Sequence, residues 1–179
     1  MTRVLTVLAL ALALSACRLE RAPSGRPGGY VPEPDSAASA EVYAAIRGYY
    51  AALTSRDWRL LSASFWPRAT ITTVRATPDD TVPRVRTLTI EEFVAGAGKA
   101  EAGVFADEAL RANIVTYGAL ADAWVTYHAR VGATAQTAAN RYGIDAFHLM
   151  KLGGQWRIAG LAFQNEVPGD SIAPGPARR

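Results

Sequence analysis

The chain has 179 residues, 50% hydrophobic and 20% charged, which suits one ordinary globular domain and excludes a disordered chain. Its formal charge of +3 comes mostly from the ends, since residues 38–166 carry 13 Lys and Arg against 12 Asp and Glu. That leaves no basic stripe for nucleic acid, and a single cysteine excludes an intramolecular disulfide framework and any Cys-rich zinc site.

The first segment is a short positive start, Met1-Thr2-Arg3, followed by an apolar run from Val4 to Leu14 and then Leu14-Ser15-Ala16-Cys17. This pattern predicts an export signal over residues 1–16. The run is shorter than the roughly 20 residues that a membrane-crossing helix needs. The Leu-Ser-Ala-Cys ending resembles the lipobox of bacterial lipoproteins. The resemblance implies cleavage before Cys17, a diacylglycerol on its thiol and an acylated amino terminus; the other reading is a free cysteine behind an ordinary signal. Several acyl chains, at about 0.8 kcal/mol per buried methylene, would tether the protein to a lipid bilayer without spanning it. In such lipoproteins of double-membraned bacteria an Asp after the cysteine favours the inner membrane. Arg18 stands there instead, so the expectation is a cell-envelope protein, at the outer membrane if the source has two.

Residues 17–37 are rich in Pro, Gly and charge and read as a linker, and residues 167–179 have the same character. Between them, 38–166 read as one domain. From Ser39 to Ser55, Val42, Tyr43, Ile46, Tyr49, Tyr50 and Leu53 recur at helical spacing. Asp57 is placed to cap a second helix, Trp58 to Phe65, which Trp66-Pro67 should stop. A hairpin is expected from Ala69–Ala76 and Val82–Leu88 around Pro78-Asp79-Asp80. Thr89 and Glu92 have capping-box spacing for a short helix that ends near Gly96–Gly98. Four strands follow, Ala109–Tyr117, Ala123–Val131, Tyr142–Leu152 and Gln155–Asn165, with turns at Gly118–Asp122 and Gly153-Gly154. Helices first and an antiparallel sheet after them make an α+β arrangement.

The run from Tyr49 to Ala69 resembles the opening of the NTF2-like superfamily, including its SnoaL-like and lumazine-binding-like branches. Ile144 to Ile158 is similar to the closing hairpin of those domains, and Ala121-Asp-Ala-Trp-Val125 to the start of their central strand. The resemblance implies a cone in which a strongly curved antiparallel sheet wraps N-terminal helices around a ligand pocket, with frequent dimerisation through the sheet. Many SnoaL-like domains carry an acidic residue after the proline that precedes the first strand. This chain has Arg68 there, which weakens any transfer of their acid–base chemistry.

Two histidines, His128 and His148, offer no Ser-His-Asp or Cys-His arrangement and no metal site of several His ligands; neither a metal nor a cofactor is called for. If the loop between the second and third of these four strands centres near Gln136 and Thr137, His128 faces Asp145, with Trp124 and Phe147 on the same face. The Gly153-Gly154 turn adds Trp156 to that face. A His–carboxylate pair among aromatic walls would be a credible general base, whereas a different register would set His128 against His148 or turn either onto the outer face. Tyr49 or Tyr50 can place a hydroxyl at the pocket mouth, though such residues serve more often as core. Trp66, Trp124 and Trp156 can stack a planar ligand or simply pack. The pocket expected from these readings is Tyr50, Trp124, His128, Asp145, Phe147 and Trp156, with His128, Asp145 and His148 as catalytic candidates.

Three functions fit. One is a non-catalytic module that holds a small hydrophobic or aromatic ligand or assembles as a homodimer. Another is a SnoaL-like isomerase, dehydratase or cyclase that uses a pocket histidine and carboxylate. The third is a partner-protein role for the exposed sheet face. A buried His–carboxylate pair in the pocket separates the second from the first.

Overall fold

The structure is a computed structural model that describes residues 36–75, 82–99, 103–167 and Ile172. Every described residue lies in the unit Pro32–Arg179. The signal, Cys17 and the Pro78-Asp79-Asp80 turn lie outside the described residues.

The long helix α1 spans Ser36–Ser55 and buries Val42, Ile46, Tyr49, Tyr50 and Leu53; Tyr43, also in the predicted stripe, is half-buried. Arg56, in a left-handed conformation (φ 57), ends it. There the amide of Asp57 returns to the Ala52 carbonyl at 3.0 Å, satisfying an orphan carbonyl of the last turn. Asp57 then caps α2, Trp58–Ala63, by accepting from the Leu60 amide at 2.8 Å.

Helix α2 stops at Ala63, before the predicted Phe65, and Trp66-Pro67 do not lie beyond the helix as a breaker. They belong to strand β1, Phe65–Arg75. Proline is tolerated here because the pairing of β1 with the last strand shifts between Phe65 and Thr70, leaving a bulge in which Pro67 has no ladder bond to donate. Arg68 takes φ 64 in that bulge, and its amide donates to Glu91 Oε1 at 3.1 Å.

Strand β2, Arg84–Thr89, runs antiparallel to β1. The capping box forms as its spacing predicts: the Thr89 amide donates to Glu92 Oε2 at 2.8 Å and the Glu92 amide to Thr89 Oγ1 at 3.2 Å. It starts α3, Ile90–Ala97. The remaining strands are β3, Val104–Tyr117, β4, Leu120–Gly132, β5, Ala139–Leu152, and β6, Gln155–Asn165. Three of the four begin earlier than the sequence suggests; β6 has the expected bounds. Gly153 and Gly154 close the β5–β6 hairpin with φ 60 and 80, the doubly left-handed turn that suits two-residue hairpins.

One curled six-stranded sheet results, in the order β2-β1-β6-β5-β4-β3, with only β1 and β6 parallel. Helix α1 packs into it, chiefly against β3 and also β6. Phe147, Leu149, Val125, Ile158 and Ile46 are at most 1% exposed where they meet, and each contributes about 1.5–3 kcal/mol of apolar burial. The inner face of β4 carries three small buried residues, Ala121, Ala123 and Ala129, and Ala129 borders open space rather than filling it. The arrangement is the α+β cone expected from the sequence.

Candidate functional site

The register of β4 against β5 decides which side chains can meet. Leu120 pairs with Met150, Val125 with Asp145 and His128 with Tyr142, so the connecting turn centres on Ala135. Thr134 and Thr137 brace that turn through their hydroxyls at 3.0 Å. The pairing differs by three residues from one that sets His128 against Asp145, and an odd difference exchanges faces. Asp145, Phe147 and Leu149 point into the core as expected, but on β4 the inward residues are Ala121, Ala123, Val125, Tyr127 and Ala129.

The predicted His128–Asp145 pair is therefore not formed. His128 lies on the outer face between Glu108 Oε1 and Asn140 Oδ1, each at 3.1 Å, and the Glu108 bond raises its pKa. His148 lies on the same face, its Nδ1 2.5 Å from Asp122 Oδ1. Trp124 is 60% exposed there and is not among the residues that line the chamber on the inner face of the sheet. Trp156 is buried with its indole N–H donating to Glu41 Oε2 at 3.0 Å. Phe147 is core, stacked edge-on against Tyr49 and Tyr50 with centroids 5.3 and 6.2 Å away. Of the six expected pocket residues only Asp145 borders the cavity, with Tyr50 just behind it.

That cavity is a chamber of about 430 Å³ between the ends of α1, α2 and α3 and the inner face of the sheet. Strand alternation supplies its walls: Phe105 and Asp107 from β3, Tyr127, Ala129 and Val131 from β4, Arg141 and Asp145 from β5, Phe163 and Asn165 from β6. The helices add Tyr49, Leu53, Trp58 and Phe93. Tyr127 lies across its partner Gly143, where any Cβ would collide with the ring and hydroxyl. The missing side chain holds the ring flat on the strand with its hydroxyl donating to Asn165 Oδ1 at 2.6 Å. A second cavity of about 300 Å³ adjoins the chamber and shares Ile71, Phe93, Arg141, Phe163 and Asn165 with it.

Two carboxyls sit in these apolar walls. Asp145 is 4% exposed and accepts from the Tyr50 hydroxyl at 2.6 Å. Burial pushes its pKa up to about 7 against the smaller lowering effect of that bond. Asp107 is also raised to about 7, by burial and then by the charge of Asp145, and its Oδ1 is buried without a hydrogen-bond partner. Burial raises the hydroxyl pKa values of Tyr49, Tyr50 and Tyr127 as well, so all three stay neutral donors. Near-neutral carboxyls in a cleft are the condition for proton transfer or for hydrogen bonding to a ligand. Among the described residues no group of three or more His, Cys, Asp or Glu is placed to hold a metal ion. Asp107 and Tyr127 escape the sequence reading, Asp107 because its strand begins at Val104, five residues before the expected start.

The protein-family profile described as Putative lumazine-binding matches residues 37–164. No curated protein matches the sequence. Solved structures of similar fold include an NTF2-like protein of unknown function from Pseudomonas putida KT2440, at 15% identity and a TM-score of 0.58 over 74% of this chain and 89% of that one. Another, titled a putative scytalone dehydratase from Novosphingobium aromaticivorans, has 13% identity and a TM-score of 0.58 over 73% and 85% of the two chains. The beta subunit of a putative aromatic-ring-hydroxylating dioxygenase from the same organism has 14% identity and a TM-score of 0.60 over 73% and 90%. At these identities the likeness is one of fold.

Proposed function

The chain belongs to the Putative lumazine-binding family of NTF2-like domains, and from that premise we propose that it is a lipid-anchored cell-envelope protein whose cone binds a small apolar or aromatic molecule without turning it over. The observation that carries this reading is the chamber itself: about 430 Å³, walled by aromatic side chains, with a few polar groups aimed inward. That is the usual make-up of a small-molecule site. The family's lumazine-binding description supports it. The His-based enzyme reading loses its base, because both histidines lie on the opposite face of the sheet from Asp145. Acid–base chemistry by Asp145 and Tyr50 alone is the second reading, favoured by the carboxyl's pKa of about 7.

The test is a titration of the full chain with N-phenyl-1-naphthylamine, a neutral apolar fluorophore. Wild type binds it saturably. Ala129→Trp, which fills the chamber from a wall residue 5% exposed, weakens binding at least about tenfold, or 1.4 kcal/mol. Equal binding by both proteins would place the probe elsewhere and sink the reading.

The same proposal includes a homodimer through the outer sheet face, supported by the exposed Trp124, Leu120, Tyr117 and Met150. The anchor rests on Leu14-Ser15-Ala16-Cys17. Cys17→Ser abolishes metabolic labelling with palmitate, and labelling that persists would refute the anchor alone.

A further inference from the structure

We propose that the ligand is a small organic acid, its apolar body in the chamber and its acidic group held by Arg141, with help from Arg86, where the two cavities join. This rests on the small-molecule reading above and adds the ligand's chemical class.

Arg141 has the same parity on β5 as Gly143 and Asp145 and so stands on the inward face, two strand positions outside the Tyr127–Gly143 pair. It borders both cavities, and Arg86, opposite Thr73 on the β1–β2 ladder, borders the outer one. Both are exposed, and so reachable from solvent.

Other arginines of the fold, Arg56 in the chamber wall among them, are already engaged. Arg56 donates to the Gly103 carbonyl at 3.1 Å, Arg130 to the Ala135 carbonyl at 2.8 Å, and Arg157 to Gln155 Oε1 at 2.9 Å. Arg141 and Arg86 make no side-chain hydrogen bond or ion pair with any described residue. Among the described residues the outer cavity has no carboxylate to answer them: besides the two arginines these are Thr73, Asn165 and apolar side chains. The carboxyls deeper in do not serve as counter-ions. Burial favours the neutral form of both, and the hydrogen-bond partner of Asp145 is Tyr50.

Two cations at the mouth of an apolar chamber, with no carboxylate of the described residues bonded to either, are matched by a ligand that brings one. Guanidinium groups take carboxylate, sulfonate or phosphate through two parallel N–H donors, and Phe93 and Phe163 beside Arg141 lower the local dielectric and strengthen that contact. A chamber of about 430 Å³ lies toward the low end of the range for drug-sized ligands. It suits one ring system or one short chain rather than a two-chain lipid, so the acid comes from solution.

The test uses a matched pair on the full chain: neutral N-phenyl-1-naphthylamine, and 8-anilinonaphthalene-1-sulfonate, which adds one sulfonate to the same skeleton. Arg141→Gln weakens the sulfonated probe about tenfold and leaves the neutral one within about twofold; Arg86→Gln gives the same selectivity with a smaller loss, about threefold. Ala129→Trp removes both signals. If Arg141→Gln affects the two probes equally, or if only the neutral probe binds wild type, the arginine assignment is overturned while the chamber reading survives. A sulfonate signal that survives Ala129→Trp overturns the placement. If wild type binds neither probe, the chamber reading falls and takes this inference with it.

Discussion

Asp145→Asn makes the protein more stable at pH 8, by about 2–4 kcal/mol, and flattens its stability between pH 5 and 8. Burial lifts the Asp145 carboxyl to about 7, well above the roughly 3.9 of an unfolded Asp. A raised pKa means that the folded state holds the proton more tightly than the unfolded chain does. The stabilisation is therefore fully present below about pH 4 and is lost as pH rises through about 7. Asp107, also at about 7, adds a slope of the same sign, so wild type loses stability across that window. The amide oxygen of Asn can still accept from Tyr50 and carries no charge to bury. Urea unfolding at pH 5 and pH 8 measures both effects. A variant that is less stable than wild type at pH 8, or has the same pH slope, would show that the carboxylate is not held at the expense of stability.

Phe147→Ala costs about 3–5 kcal/mol, the range for a fully buried phenylalanine. Phe147 is 1% exposed and stands between the helix and the sheet, edge-on to both Tyr49 and Tyr50. Its loss also loosens the ring whose hydroxyl reaches Asp145, so the double variant with Asp145→Asn should be non-additive by more than about 0.5 kcal/mol. A loss below 1 kcal/mol, or full additivity, would mean that the aromatic cluster neither supports the core nor positions Tyr50.

Much of this arrangement is written plainly in the chain. The stripe of α1, the Asp57 cap, the Thr89–Glu92 box and the Gly153-Gly154 turn depend on residues close in sequence, and all four form as their chemistry requires. The site depends on strand register, which no local signal states. The inner face of β4 is legible afterwards: Ala121, Ala123, Val125, Tyr127, Ala129 and Val131 are all apolar at period two, while Asp122, Thr126, His128 and Arg130 alternate with them. Trp124 draws the eye to the wrong face because it is the largest apolar residue of the strand, yet it is 60% exposed. A turn centred on Ala135, rather than near Gln136 and Thr137 as expected from the sequence, turns His128 away from Asp145. Pro67 misleads for another reason, since the bulge at Arg68 that admits it depends on pairing with β6, a strand some 90 residues away.

In the protein's natural setting the chamber holds a small molecule. Native mass spectrometry of wild type and Ala129→Trp, purified in parallel from the source cell without denaturation, should find an added mass on wild type, released on unfolding, and none on Ala129→Trp. Two empty proteins, or the same added mass on both, would mean that the chamber has no such occupant.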